Sequence, residues 1–186
     1  MNSDRDRDPA GRPRNARPRD GLGRPLGRAD SPGLSGSAEV SGVSGAERIP
    51  DDLVIGGAEA AGLADQLLRD GRPFHAHEVL EAAWKSGPVE QRDLWQGLAQ
   101  IAVGLTHARR GNARGAVALL RRGAGRVRAH QDRAGSQRLD GQPGGPFGMD
   151  VGSFLAAADD LAARIERDGL DGIPVADLSP GLLAGA

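Results

Sequence analysis

Cysteine is absent from this 186-residue chain. That excludes a disulfide framework, a thiol nucleophile and thiolate ligation of a metal. Aromatic residues make up only 3%, and three of them, Phe74, Trp84 and Trp95, lie close together in sequence. No apolar run approaches the roughly 20 residues that span a bilayer, and the N-terminus has no apolar signal core. The expectation is a cytoplasmic protein without a membrane segment. Convincing period-two alternation is also missing, so no strand is expected. Lys85 is the single lysine, whereas Arg, Asp, Ala and Gly are heavily used; this bias reflects GC-rich coding and carries no functional information.

What is present is unevenly placed. Hydrophobic residues amount to 38%, enough for one core, but residues 1–50 contain no periodic apolar pattern. They are rich in Gly, Pro, Arg, Asp and Ser, and such a composition cannot bury enough surface to offset ordering entropy. They are expected to form a disordered head. Between Met1 and Arg28 eight arginines face four aspartates, a local excess of +4 within a net charge of −1. Residues 51–170 are expected to form the folded domain and 171–186 a C-terminal tail, tucked back by Ile173, Val175 and Leu178. Helical spacing appears over Ala58–Arg69, Phe74–Lys85, Leu94–Arg110, Ala113 to about His130, and Val151–Arg167. Gln131–Gly148 reads as loop. The fold class is all-α, a compact bundle of about five helices.

The organising stretch is Leu94–Arg110, LWQGLAQIAVGLTHARR. On a helix it shows an apolar stripe (Leu94, Leu98, Ile101, Leu105), a small-residue stripe (Gly97, Gly104, Ala108) and a row of Gln96, Gln100 and His107 with Val103 between them. A helix that is apolar nearly all round is usually buried, and buried polar groups must be bonded or liganded. The preceding helix carries Phe74, His77, Glu81 and Trp84 on one face, with Glu78 and Lys85 at its flanks. If this face meets the other row, His77, Glu78, Glu81, Trp84, Gln96, Gln100 and His107 line one polar inter-helix pocket.

Imidazole and carboxylate together suit a divalent metal. His77, Glu81 and His107 would supply three ligands and leave an open position, with Glu78 as the candidate general base. The chain lacks both the paired Glu-x-x-His motifs of di-metal bundles and a His-Glu-x-x-His motif. The competing reading is a hydrogen-bonded polar core that sets helix register, with Glu78 or Glu81 accepting from Trp95 or Gln100. His75 is expected at the surface or in a cap, His130 at a helix end, and Asn112 as an N-cap after Gly111. Arg114, Arg121, Arg122 and Arg128 belong to an arginine face opposite the apolar stripe of the fourth helix. Seven arginines and no acid lie between Arg109 and Arg128. This face is expected to be solvated or, alternatively, to dock an anionic partner.

The string His77-Glu78-Val79-Leu80-Glu81, then Trp84, Gln96-Gly97-Leu98-Ala99-Gln100, His107, Gly111-Asn112 and Gly115-Ala116 resembles the motifs of the bacterial domain-of-unknown-function 309 family. The resemblance extends over about Ala58 to Leu161, and the Arg-Pro-rich head is similar to that of actinobacterial members. It implies a small all-helical fold and no established activity. The residues therefore support three readings. The first is a ligand-binding or interaction module with a polar pocket. The second is a metal-dependent, hydrolase-like enzyme built on His77, Glu81 and His107. The third is an accessory protein associated with an anion or nucleic acid.

Overall fold

The computed structural model describes residues 54–135 and 145–183; the head expected over 1–50 lies outside them. Five helices follow in order: α1 (Gly57–Arg69), α2 (Pro73–Ser86), α3 (Arg92–Arg109), α4 (Ala113–Gly135) and α5 (Val151–Asp168). Short 3-10 turns occur at Val89–Gln91, Pro146–Gly148 and Val175–Leu178. Among the described residues the sole β feature is an isolated bridge between Met149 and Leu183. No described helix is long and apolar enough to cross a membrane.

Local chemistry sets the helix ends. Gly71 and Gly111 adopt positive φ, where glycine carries no Cβ penalty, and each follows the last turn of a helix. Asn112 N–H returns to the His107 carbonyl at 2.9 Å, closing α3. Asn112 Oδ1 then accepts from Gly115 N–H at 2.9 Å and starts α4. Pro73 occupies the first turn of α2, where its missing donor costs nothing. Asp150 caps α5 by accepting from Ser153 N–H at 3.0 Å. The fourth helix runs on to Gly135, so the loop expected from Gln131 begins later.

Consecutive helices pack on one another, and α3 is the most enclosed. Leu94, Trp95, Leu98, Ile101 and Leu105 are all at most 1% exposed, and fully burying each such side chain contributes about 1.5–3 kcal/mol. The small residues of α3 face α4. A Cβ on Gly97 would lie 2.9 Å from the Gly123 carbonyl oxygen, and one on Gly123 would lie 2.6 Å from the Gly97 carbonyl oxygen. The two backbones meet there with no side chain between them. Gly104 sits against Leu120, 3.0 Å from its backbone nitrogen by the same measure. Close approach therefore explains Gly123, as expected, but not Gly125, whose Cβ would meet open space.

The C-terminal segment is part of the core. Asp65 of α1, itself buried, accepts from the backbone N–H groups of Leu182 at 2.6 Å and Leu183 at 3.0 Å. Asp150 N–H donates to the Leu182 carbonyl at 3.0 Å. The anchors are Leu178 and Leu182, both buried, whereas Val175 is 68% exposed. Val175 thus does not pin the tail as its apolarity suggested.

Candidate functional site

The sequence placed its polar row inside the bundle; the structure places it at the edge. Every α3 position from Leu94 to Ala108 is buried except Gln96, Gln100, Val103 and His107, which are half-buried. These four fall within a strip about 60° wide at 100° per residue. The rest of the circumference is occupied by neighbouring helices, and Thr106, buried there, turns its hydroxyl back to the Ala102 carbonyl at 2.9 Å. On α2 the residues Phe74, His77, Glu78, Glu81 and Trp84 are likewise half-buried. Helices α2 and α3 are joined by the short segment around Val89–Gln91 and pack side by side. The candidate residues thus occupy two polar margins of one helical hairpin.

Within these margins the hydrogen bonding is incomplete. His77 Nε2 lies 3.6 Å from Glu81 Oε2, while Glu81 Oε1 is held by Lys85 Nζ at 2.9 Å. His77 Nδ1 is shielded from solvent and has no hydrogen-bond partner among the described residues. Burial pushes the His77 pKa below its ordinary value, with Glu81 opposing and Lys85 reinforcing the shift. The imidazole is therefore held neutral. Its ring also tilts against Phe74, with centroids 6.2 Å apart. Gln100 Oε1 is a second solvent-shielded atom without a partner among the described residues. The Trp95 N–H, considered as a donor to Glu78 or Glu81, goes instead to Gln91 Oε1 at 3.2 Å.

His107 is engaged elsewhere. Because Asn112 Oδ1 accepts from Gly115, the Asn112 amide nitrogen points at His107 and donates to its Nδ1 at 2.7 Å. The ring proton of neutral His107 then resides on Nε2. A Cβ on Gly115 would lie 2.5 Å from both the Asn112 amide nitrogen and His107 Nδ1. Gly115 thus makes room for this side-chain pair, one member of which comes from the neighbouring α3, rather than for a neighbouring backbone. The three-ligand arrangement of His77, Glu81 and His107 is not assembled. Among the described residues no group of three His, Asp or Glu side chains is placed to hold one metal ion. The physical reason is local: the start of α4 draws His107 into its cap, while His77 and Glu81 remain one turn apart on α2.

Two further expectations change. His75 is buried, at 3% exposure, with its ring edge-on to Phe74 at 5.7 Å. Helix α2 packs against both α1 and α3, which widens its buried arc to include positions 75 and 82. The arginine face of α4 is only partly open. Arg121 pairs with Glu166 and Arg128 with Asp159, both on α5. Arg126 at 2.8 Å and Arg133 both bind Asp93 at the start of α3. Arg114 and Arg122 are exposed without an ion pair among the described residues. A signal for this seam existed in the sequence: Arg121 and Arg128 are seven apart, as are Asp159 and Glu166. Two turns of one antiparallel helix thus match two turns of the other. Such exposed pairs contribute about 0–1 kcal/mol each, so they orient the helices more than they stabilise them.

Comparison with known proteins bears on the same segment. The family model described as "Domain of unknown function (DUF309)" matches residues 63–119. The uncharacterized protein YpuF of Bacillus subtilis (strain 168) is 46% identical over 48 residues, covering 25% of this chain and 28% of YpuF. No solved structure matches. The match to domain of unknown function 309 thus spans the segment that holds all of α2 and α3 and both of their polar margins.

Proposed function

We propose that this protein is a cytoplasmic helical binding module whose recognition surface is formed by the polar margins of α2 and α3. The observation that carries this reading is the pair of solvent-shielded atoms His77 Nδ1 and Gln100 Oε1, which have no partner among the described residues. Leaving such an atom unmet costs about 1–3 kcal/mol, and native folds normally avoid that cost. Two buried polar side chains of the core show the contrast: Asp65 and Thr106 have their side-chain oxygens bonded. A ligand or partner segment offering a donor to Gln100 and a polar group to neutral His77 would remove the cost on binding. Phe74 and Trp84 would give it apolar contact beside these groups.

Stability and binding should then respond in opposite directions. Gln100→Leu and His77→Leu are expected to leave stability unchanged or raise it by up to about 1 kcal/mol, since each removes an unmet polar group. Both should abolish the amide shifts that a library of small polar molecules induces at residues 74–84 and 96–107 in ¹H–¹⁵N NMR spectra. Clear destabilisation by both substitutions, with no compound perturbing these residues in the wild type, would show that the margins serve the fold alone.

A further inference from the structure

A cleft lies where the turn between α1 and α2, the end of α3 and the C-terminal segment come together, and it draws on residues outside the polar margins. It is about 560 Å³ in volume and is lined by Arg69, Asp70 and Gly71 at the end of α1, by Arg109 at the end of α3, and by Val175, Ala176 and Ser179 of the C-terminal segment. Its most unusual member is Arg109. The Nε of this guanidinium is shielded from solvent and has no hydrogen-bond partner among the described residues. Its Nη2 donates at 2.7 Å to Ser179 Oγ, a neutral group. No carboxylate among the described residues forms an ion pair with it. Burial lowers its pKa from the ordinary value with no opposing cause, as expected of a cation that has lost water without gaining a counter-ion. The other arginines at helix contacts differ: Arg121, Arg126 and Arg128 each hold a carboxylate.

The surroundings are shaped to hold this charge. A Cβ on Gly71 would lie 2.7 Å from Arg109 Nη2, and one on Gly181 would lie 2.5 Å from Arg69 Nη2. Two glycines thus provide the space in which two guanidinium groups lie against backbone. Arg69 is fixed through Nε, which donates to Asp65 at 2.8 Å, and its side chain is 52% exposed. Ser179 Oγ accepts from Arg109, so its own hydroxyl proton is left to donate. Val175, 68% exposed, adds an apolar wall.

We propose that this cleft is a binding site for an oxyanion group, carboxylate or phosphate, on a ligand with an apolar portion. Arg109 supplies its accessible Nη donors and the missing charge complement, Ser179 its hydroxyl, and Arg69 a second guanidinium; Val175 and Ala176 take the apolar portion. Planar guanidinium donors match both carboxylate and phosphate. Asp70 lines the same cleft and opposes the anion, which favours a ligand with one charged group over a polyanion.

The test is an NMR titration of the full chain, following the arginine Nε–H resonances, at constant ionic strength set with sodium chloride. Sodium hexanoate and inorganic phosphate are the two probes. The Arg109 Nε–H signal should move saturably with at least one of them, hexanoate alone pointing to a carboxylate ligand and phosphate alone to a phosphorylated one. Affinity should fall about tenfold or more in Arg109→Gln, the loss of one charge-assisted hydrogen bond. It should fall several-fold in Ser179→Ala and rise in Asp70→Asn. Absence of saturation with both probes overturns the proposal, as does wild-type affinity in Arg109→Gln. Should Arg109→Gln fail to fold, wild-type affinity in Ser179→Ala and Asp70→Asn overturns it, and opposite shifts in the two sustain it.

Discussion

Helix α3 has two unlike flanks. Toward α4 it presents Gly97 and Gly104, and the partner answers with Gly123, Leu120 and Val127 so closely that a single added carbon would collide with backbone. Along its other, half-buried edge it presents Gln96, Gln100, Val103 and His107, where one polar atom has no partner among the described residues. The first flank gains dispersion contacts from close packing. The second gives up stability, because a shielded amide oxygen has lost water and gained nothing. One helix thus anchors the fold with its small residues and offers chemistry with its polar ones.

The largest effect should come from filling the close-packed flank. Gly97→Leu is expected to destabilise by about 3 kcal/mol, the upper part of the usual overpacking range. The helix-propensity gain of roughly 1 kcal/mol offsets only part of the steric loss. Gly104→Leu should be milder, because the nearest atoms to its Cβ lie at 3.0 Å rather than 2.5 Å. Urea denaturation of the three proteins checks both the sign and the order. Equal stability of wild type and Gly97→Leu would mean that α3 and α4 do not meet backbone to backbone, and the contrast between the flanks would fail.

A buried polar group that is fully paired sharpens the contrast from the other side. Asp65→Asn should cost about 1–3 kcal/mol, because the carboxylate accepts from two backbone N–H groups and Arg69. Burial raises the Asp65 pKa, but those hydrogen bonds outweigh it and hold the group below its ordinary value. Its contribution is accordingly present above the unfolded-state pKa of about 3.9 and is lost as pH falls through the lower folded value. Thermal denaturation from pH 6 downward should therefore show a smaller acid-induced loss in Asp65→Asn than in wild type. Parallel curves would contradict the assignment.

The smallest effect belongs to the polar margin. Burial lowers the His77 pKa, so the unfolded chain takes up this proton first as pH drops below about 6.5. Stability should decline from there until pH reaches the folded value, and then level off with respect to this group. His77→Phe should flatten that segment of the stability–pH profile. An unchanged slope would show that His77 gains a compensating partner in the native state, and the margin would no longer differ from Asp65.

The two flanks were unequally legible in the sequence. Five helices, the Gly-Asn junction after α3 and the small-residue stripe follow from periodicity and cap chemistry, which are local properties. The polar row was legible as a row, since 100° per residue aligns Gln96, Gln100 and His107 without reference to anything else. Its depth was not. The apolar character of α3 suggested a buried row, but depth depends on how far α2 and α4 wrap around the helix, and they stop short of this strip.

By itself, then, the chain determined its secondary structure, its capping residues and the composition of each helical face, because these arise between residues a few positions apart. The tertiary structure alone decided which faces meet. It turned His107 to Asn112 instead of His77, closed half of the arginine face with acids of α5, and buried His75 on a helix that packs against both α1 and α3. It also carried Asp65 to Leu182, 117 residues away, and left Arg109 beside Ser179 with no carboxylate partner among the described residues. Contacts of that range depend on the packing angles and register of several helices at once, and no local pattern encodes them.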